Sequence, residues 1–167
     1  KELQELRQRL LVMGGRVESQ LSKAVRSIVE RDADLAEQVK RDDSQVNRLE
    51  VEIDDACRRI LALRQPAASD LRFIATAIKI VVDLERMGDL AVNVAERAID
   101  LCQAPPLGPV HDLESLAGMA QMQLKHALDS FVEGDVARAR EVMETDGFLD
   151  ALYLKIFNDM LTRMMED

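Results

Sequence analysis

The run from Asp70 to about Cys102 constrains this chain more than any other part of it. Leu71, Ile74, Ile78, Val81 and Val82 recur at helical spacing, and Leu84, Gly88, Ala91, Ala95 and Ala98 continue as a face of small residues. A helix of about 33 residues is ~50 Å long at 1.5 Å per residue. Its apolar side needs other helices to cover it. About 100° round from the small-residue face, Glu85, Asp89, Asn93, Glu96 and Asp100 follow at steps of four, four, three and four. They form one ridge of carboxylates and a single amide.

Two readings of the ridge stand side by side. Acidic residues on a helix surface ordinarily face water and do nothing else. Alternatively, Glu85 and Asp89, four residues apart and ~5–6 Å apart at Cβ, hold a cation between their oxygens. Like charges at that spacing repel, so a cation there would relieve the helix of a small strain.

Composition supports helices and narrows the function. Apolar residues make up 47% of the 167 and charged residues 32%, enough for a core and too apolar for a disordered chain. With 7 Gly, 4 Pro, one Tyr and no Trp, the chain is poor in sheet formers and rich in helix formers. The net charge of −9 argues against nucleic acid and against direct adhesion to an anionic membrane. No apolar run approaches the ~20 residues of a membrane span, and no signal-peptide pattern is visible, so the expectation is a cytoplasmic chain without membrane insertion. Cys57 and Cys102 lack Cys-x-x-Cys spacing and are expected as two buried, reduced thiols.

Four further helical stretches follow from the same periodicity. The first runs from about Glu2 to Glu30, with a near-heptad seam through Leu3, Leu6, Leu10, Met13, Val17, Leu21, Ala24 and Ile28. Gly14 and Gly15 interrupt it, marking a close helix contact or a bend. The second starts after Asp32 or Asp34 as cap, breaks or restarts at Asp42-Asp43-Ser44, and reaches about Leu63. Its polar side carries Asp43, Asn47, Glu50 and Asp54, a second acidic stripe that reads as a solvated face and not as a ligand set, and that lies beside the first if the two helices are neighbours. Pro66 sits in a turn and Ser69 is the expected N-cap of the central helix. Gln103 to Pro109 is the only Pro-rich stretch and reads as a boundary. The last two helices span about Asp112 to Val132 and Asp135 to the end, with a break expected near Asp146-Gly147.

Offset by 103 residues, the chain matches itself without a gap. Leu21 meets Leu124, Ala24 Ala127, Ser27 Ser130, Glu30 Glu133, Asp32 Asp135, Asp43 Asp146, and Ile53 Ile156. Helical periodicity explains the apolar matches but not the Ser, Glu and Asp ones. The partner of Glu85 falls after Asp167, so a second bundle incomplete in this chain is expected. The expected units are residues 1–103, a linker at 104–111, and 112–167.

These residues carry a resemblance. Asp70-Leu71-Arg72 at the head of the central helix, Leu84-Glu85-Arg86-Met87-Gly88-Asp89 in its middle and Met13-Gly14-Gly15 on the first helix look like the PhoU family of bacterial phosphate-uptake regulators. The resemblance covers nearly the whole chain and lacks only the motif on the family's sixth helix. It implies an all-α protein of tandem three-helix bundles, cytoplasmic and commonly a homodimer. It also implies a negative regulator of the phosphate regulon, an adaptor between a sensor histidine kinase and the nucleotide-binding subunit of the phosphate ABC transporter. In some members a divalent metal or iron cluster binds the Glu-x-x-x-Asp motif, here Glu85 and Asp89. Asn93 and Glu96 extend that face by spacing alone.

Two other classes stay in view. A carboxylate-bridged metal enzyme uses Glu-x-x-His pairs on facing helices, but Gly108 and Gln123 stand three before His111 and His126. Those histidines read as a linker residue and a helix-surface residue, and no enzyme is expected. A structural helical scaffold with no metal role also fits the seams.

Overall fold

In a computed structural model, which describes residues 1–106, 108 and 112–166, five helices follow one another. They are α1 (Glu2–Val29), α2 (Ala33–Leu63), α3 (Ala68–Gln103), α4 (Leu113–Glu133) and α5 (Val136–Glu166), with no strand among the described residues. α1, α2 and α3 pack mutually as a three-helix bundle, α4 lies on α1, and α5 packs on α4 alone among the described helices. The chain is all-α, with helices arranged as tandem bundles.

The core follows a strict heptad rhythm. On α3, Ile74, Ala77, Val81, Leu84, Gly88, Ala91, Ala95 and Ala98 are all buried. On α1 the buried row is Leu6, Leu10, Met13, Val17, Gln20, Ala24 and Ser27. The seam expected through Leu21 and Ile28 is therefore corrected: geometry carries the row through two polar residues, and Leu21 and Ile28 sit half-buried beside it. Ser27 Oγ donates to Ala24 O at 2.7 Å, which removes the cost of burying a hydroxyl. Gln20 has no such complete solution.

Local signals hold at some helix ends and fail at others. Asp32 caps α2, its side chain accepting from Leu35 N at 2.9 Å. No break occurs at Asp42-Asp43-Ser44, because Ser44 Oγ bonds back to Arg41 O within the helix and Val46 anchors the continuing seam. Nor does α5 break at Asp146-Gly147. α3 begins at Ala68 after the extended Ala67, so Ser69 lies inside the first turn and is not the cap.

The internal repeat is visible atom by atom. Asp135 repeats the Asp32 cap, accepting from Arg138 N at 3.0 Å. Ser130 Oγ donates to Ala127 O at 2.8 Å, as Ser27 does to Ala24. The preceding turn uses a left-handed residue in both copies, Arg31 at φ 54° and Gly134 at φ 73°. α1 and α4 also meet at equivalent positions, with Gln121 Nε2 donating to Glu18 O at 3.5 Å. Near that crossing Leu128 enters the main core, and Phe131 stacks on Phe73 with ring centroids 4.8 Å apart. Arg7 lies over Phe73 and donates to Val132 O.

Of the two adjacent glycines, Gly14 is the close contact. A Cβ there would run into Cδ1 of Leu128, while one at Gly15 meets nothing. Gly14→Val is expected to lower unfolding free energy by about 1–3 kcal/mol through overpacking. Gly15→Ala is expected to raise it by about 1 kcal/mol through helix propensity. Urea unfolding followed by circular dichroism measures both, and equal shifts for the two variants would contradict the close contact.

Candidate functional site

The site is built where α2 presents acids to α3. Asp43 and Glu50 occupy heptad positions between the buried Val39, Val46 and Ile53, so they sit at the edge of the seam, half-buried. On α3, Glu85 is half-buried and Asp89 is exposed. Glu85 of the first acidic stripe thus lies near Asp43 and Glu50 of the second. Gly88, on the α3 seam, lets the three helices pack closely at this level. A Cβ there would stand 3.1 Å from Gln20 Oε1, 3.4 Å from Asp43 Oδ1 and 3.4 Å from Val46 Cγ1.

Asp43 is the hub of this polar layer. Gln20 Nε2 donates to its Oδ1 at 3.3 Å, and Asn47 Nδ2 donates to its Oδ2 at 2.9 Å. Next to it, Asp42 pairs with Lys23 of α1 at 2.9 Å. Burial raises the Glu85 carboxyl above its ordinary value. Asp89 raises it further by repulsion and by a side-chain hydrogen bond to the protonated form, and Glu50 and Asp43 add repulsion from α2.

Not every residue of the ridge takes part. Asn93 and Glu96 lie farther along the exposed face and make no hydrogen bond or ion pair with the α2 acids. Asp100 pairs with Arg97 at 3.0 Å. Among the described residues, no three His, Cys, Asp or Glu side chains gather as they stand into a group that holds a metal. One buried amide oxygen of the layer, Gln20 Oε1, has no hydrogen-bond donor.

Elsewhere the chemistry is quiet. Cys57 is buried, and burial, then Asp54, pushes its thiol up to about 11. Cys102 is only half-buried, a correction to the expectation of two buried thiols. His126 lies on the exposed surface of α4, and His111 lies outside the described residues.

The PhoU domain family matches residues 10–98 and 113–167. The chain belongs to the PhoU domain family. It is 44% identical over 168 residues to the phosphate-specific transport system accessory protein PhoU homolog of Pseudomonas putida, covering 99% of this chain and 65% of that one. The Escherichia coli K12 accessory protein PhoU is 39% identical over 166 residues, covering 99% of this chain and 69% of its own length. The chain thus spans about two thirds of the length of these relatives. The crystal structure of PhoU from Pseudomonas aeruginosa superposes with a TM-score of 0.93 at 42% identity, covering 99% of this chain and 80% of that one. Against the PhoU resemblance, the site residue missed in the sequence was Gln20. Its signal was a polar residue three after Val17 and four before Ala24, on the buried rhythm.

The raised Glu85 carboxyl has a testable sign. The folded chain binds this proton more tightly than the unfolded chain, so folding is penalised above the raised value. The penalty is gone below the ordinary value of 4.5. Glu85→Gln is expected to raise Tm at pH 7 by about 1–2 °C, from ~0.2–0.5 kcal/mol per like-charged helix pair. The gain should fade as pH falls toward the ordinary carboxylate range. Thermal melts across pH check this, and an equal gain at neutral and acidic pH would contradict it.

Proposed function

We propose that this chain is an accessory protein of phosphate uptake that works by docking and not by turnover. The observation that carries the reading is the paired acidic face of α2 and α3 in a chain whose relatives are named accessory proteins of the phosphate-specific transport system. In this reading the chain is a cytoplasmic negative regulator of the phosphate regulon. It links the nucleotide-binding subunit of the phosphate ABC transporter to a sensor histidine kinase, and works as a homodimer. A strongly acidic face selects a basic partner surface and speeds encounter. No described helix is long and apolar enough to cross a membrane, which agrees with docking onto membrane proteins from outside the bilayer.

Glu85 and Asp89, with Asp43 and Glu50 opposite, are the residues we assign to a divalent cation or an iron cluster. Asn93 and Glu96 are outer members of the same face. A bound cation would neutralise the facing carboxylates. The protein's own residues then set how much negative charge the face presents to a partner.

The test uses the full-length protein. Binding to the transporter's nucleotide-binding subunit and to the kinase's cytoplasmic region is measured by surface plasmon resonance, with and without Glu85→Gln plus Asp89→Asn. The expected result is binding of at least one partner, weakened about tenfold in the double variant, as for loss of ~1.4 kcal/mol. Binding of neither partner would overturn the adaptor reading. Unchanged binding in the variant would return the ridge to a solvated face and favour the structural scaffold.

A further inference from the structure

The end of α3 is built so that it cannot finish itself. A helix leaves its last four carbonyls without intrahelical donors, and a C-cap motif commonly supplies them from the N–H groups of the residues that follow. After the cap residue Ala104 come Pro105 and Pro106, which carry no N–H. The last turn of α3 holds no basic side chain either. The backbone adds the bond from Ala104 N to Leu101 O at 3.2 Å. Packing is also thin here. The core at this end is Ala24, Ala36, Val39, Ala91, Ala95 and Ala98, and an alanine buries little apolar area.

The missing donors come from another element. Arg31 stands in the turn between α1 and α2. Its Nη2 donates to Leu101 O at 2.7 Å and to Ala104 O at 2.5 Å, with Cys102 O at 3.4 Å. Hydrogen bonds from a charged donor are among the stronger ones. The backbone of Arg31 sharpens the point. It stands at φ 54°, in the left-handed region that suits glycine and costs a residue with a Cβ. The turn requires that conformation, because Asp32 N donates to Ser27 O at 3.0 Å to close α1. In the second copy Asp135 N donates to Ser130 O at 2.8 Å, and the residue equivalent to Arg31 is Gly134, at φ 73°. One turn is thus made with glycine in one copy and with arginine in the other. The first copy bears the strain, and with it gains a side chain that ties α3 down.

We infer that Arg31 is a clasp that fastens the end of α3 to the α1–α2 turn, replacing from outside the helix the donors that Pro105 and Pro106 lack. With the clasp closed, the α1–α2 turn and the exit from the first bundle move as one unit. With it open, the last turn of α3 frays and the chain leaves the bundle in no fixed direction.

Amide hydrogen exchange of Cys102, Gln103 and Ala104 in the full chain, followed by NMR, tests this. The variants are Arg31→Gly, Arg31→Ala, and Arg31→Gly combined with Pro105→Gly and Pro106→Ala. Arg31→Gly removes the guanidinium and the backbone strain together, so the test stands if Arg31→Ala fails to fold. Arg31→Gly is expected to speed exchange at the three amides about three- to tenfold, and not to speed it from Ile74 to Val81 on the same helix. Arg31→Ala keeps the strain and is expected to melt at a lower temperature than Arg31→Gly. The triple variant returns backbone donors and a glycine to the end of α3, and is expected to recover the slow exchange. Exchange at the three amides within about twofold of the unaltered chain in Arg31→Gly would overturn the clasp. Faster exchange that spreads equally over α3, or that the triple variant leaves unrepaired, would overturn it too.

Discussion

The contact between Gln20 and Asp43 is the constraint around which the bundle is arranged. Above and below it, α1, α2 and α3 close on one another through Met13, Val17, Val46, Leu84 and other aliphatic side chains. At this one level the seam holds an amide on α1, a carboxylate on α2 and a glycine on α3. A lone buried acceptor costs about 1–3 kcal/mol, a large share of the ~5–15 kcal/mol by which domains are stable. The neighbouring apolar layers offset that cost. Gly88 is the third party to the arrangement, because any larger residue would press on both polar groups.

α1 serves two bundles at once. One side faces α2 and α3, and the other carries α4 across Gly14. The meeting of Glu18 with its repeat equivalent Gln121 places the α1–α4 crossing near an internal two-fold relation. The repeat is therefore more than a duplication along the chain, since its two first helices form the joint. Leu128 of α4 lies in the same core as Leu84 of α3, so α4 and the first bundle share one packed interior.

Much of this was legible in the sequence, for physical reasons. Long apolar periodicity with few sheet formers gave five helices in order, and Asp32 and Asp135 marked their starts because an Asx cap satisfies the same backbone donors each time. The acids Asp43 and Glu50 were legible beside the seam because they fall in the heptad phase of Val39, Val46 and Ile53. A seam traced through apolar residues alone departs from the true core row where that row is polar. Apolarity points at Leu21 and Ile28, whereas the heptad phase falls on the buried Gln20 and Ser27. The break expected at Asp42-Asp43-Ser44 failed for a related reason. Local turn chemistry lost to the packing of Val39, Val46 and Ile53 on either side.

The central claim is that acids on α2 and α3 face each other closely enough to act as one group. The most direct measurement is the titration of the Glu85 side-chain carboxyl by carbon-13 NMR in the cation-free protein. The account predicts that Glu85 titrates above the ordinary value of 4.5, and that Asp43→Asn and Glu50→Gln each move it down, since both acids raise it. A Glu85 carboxyl that titrates at its ordinary value and ignores both substitutions would mean that the two acidic stripes are separate solvated faces.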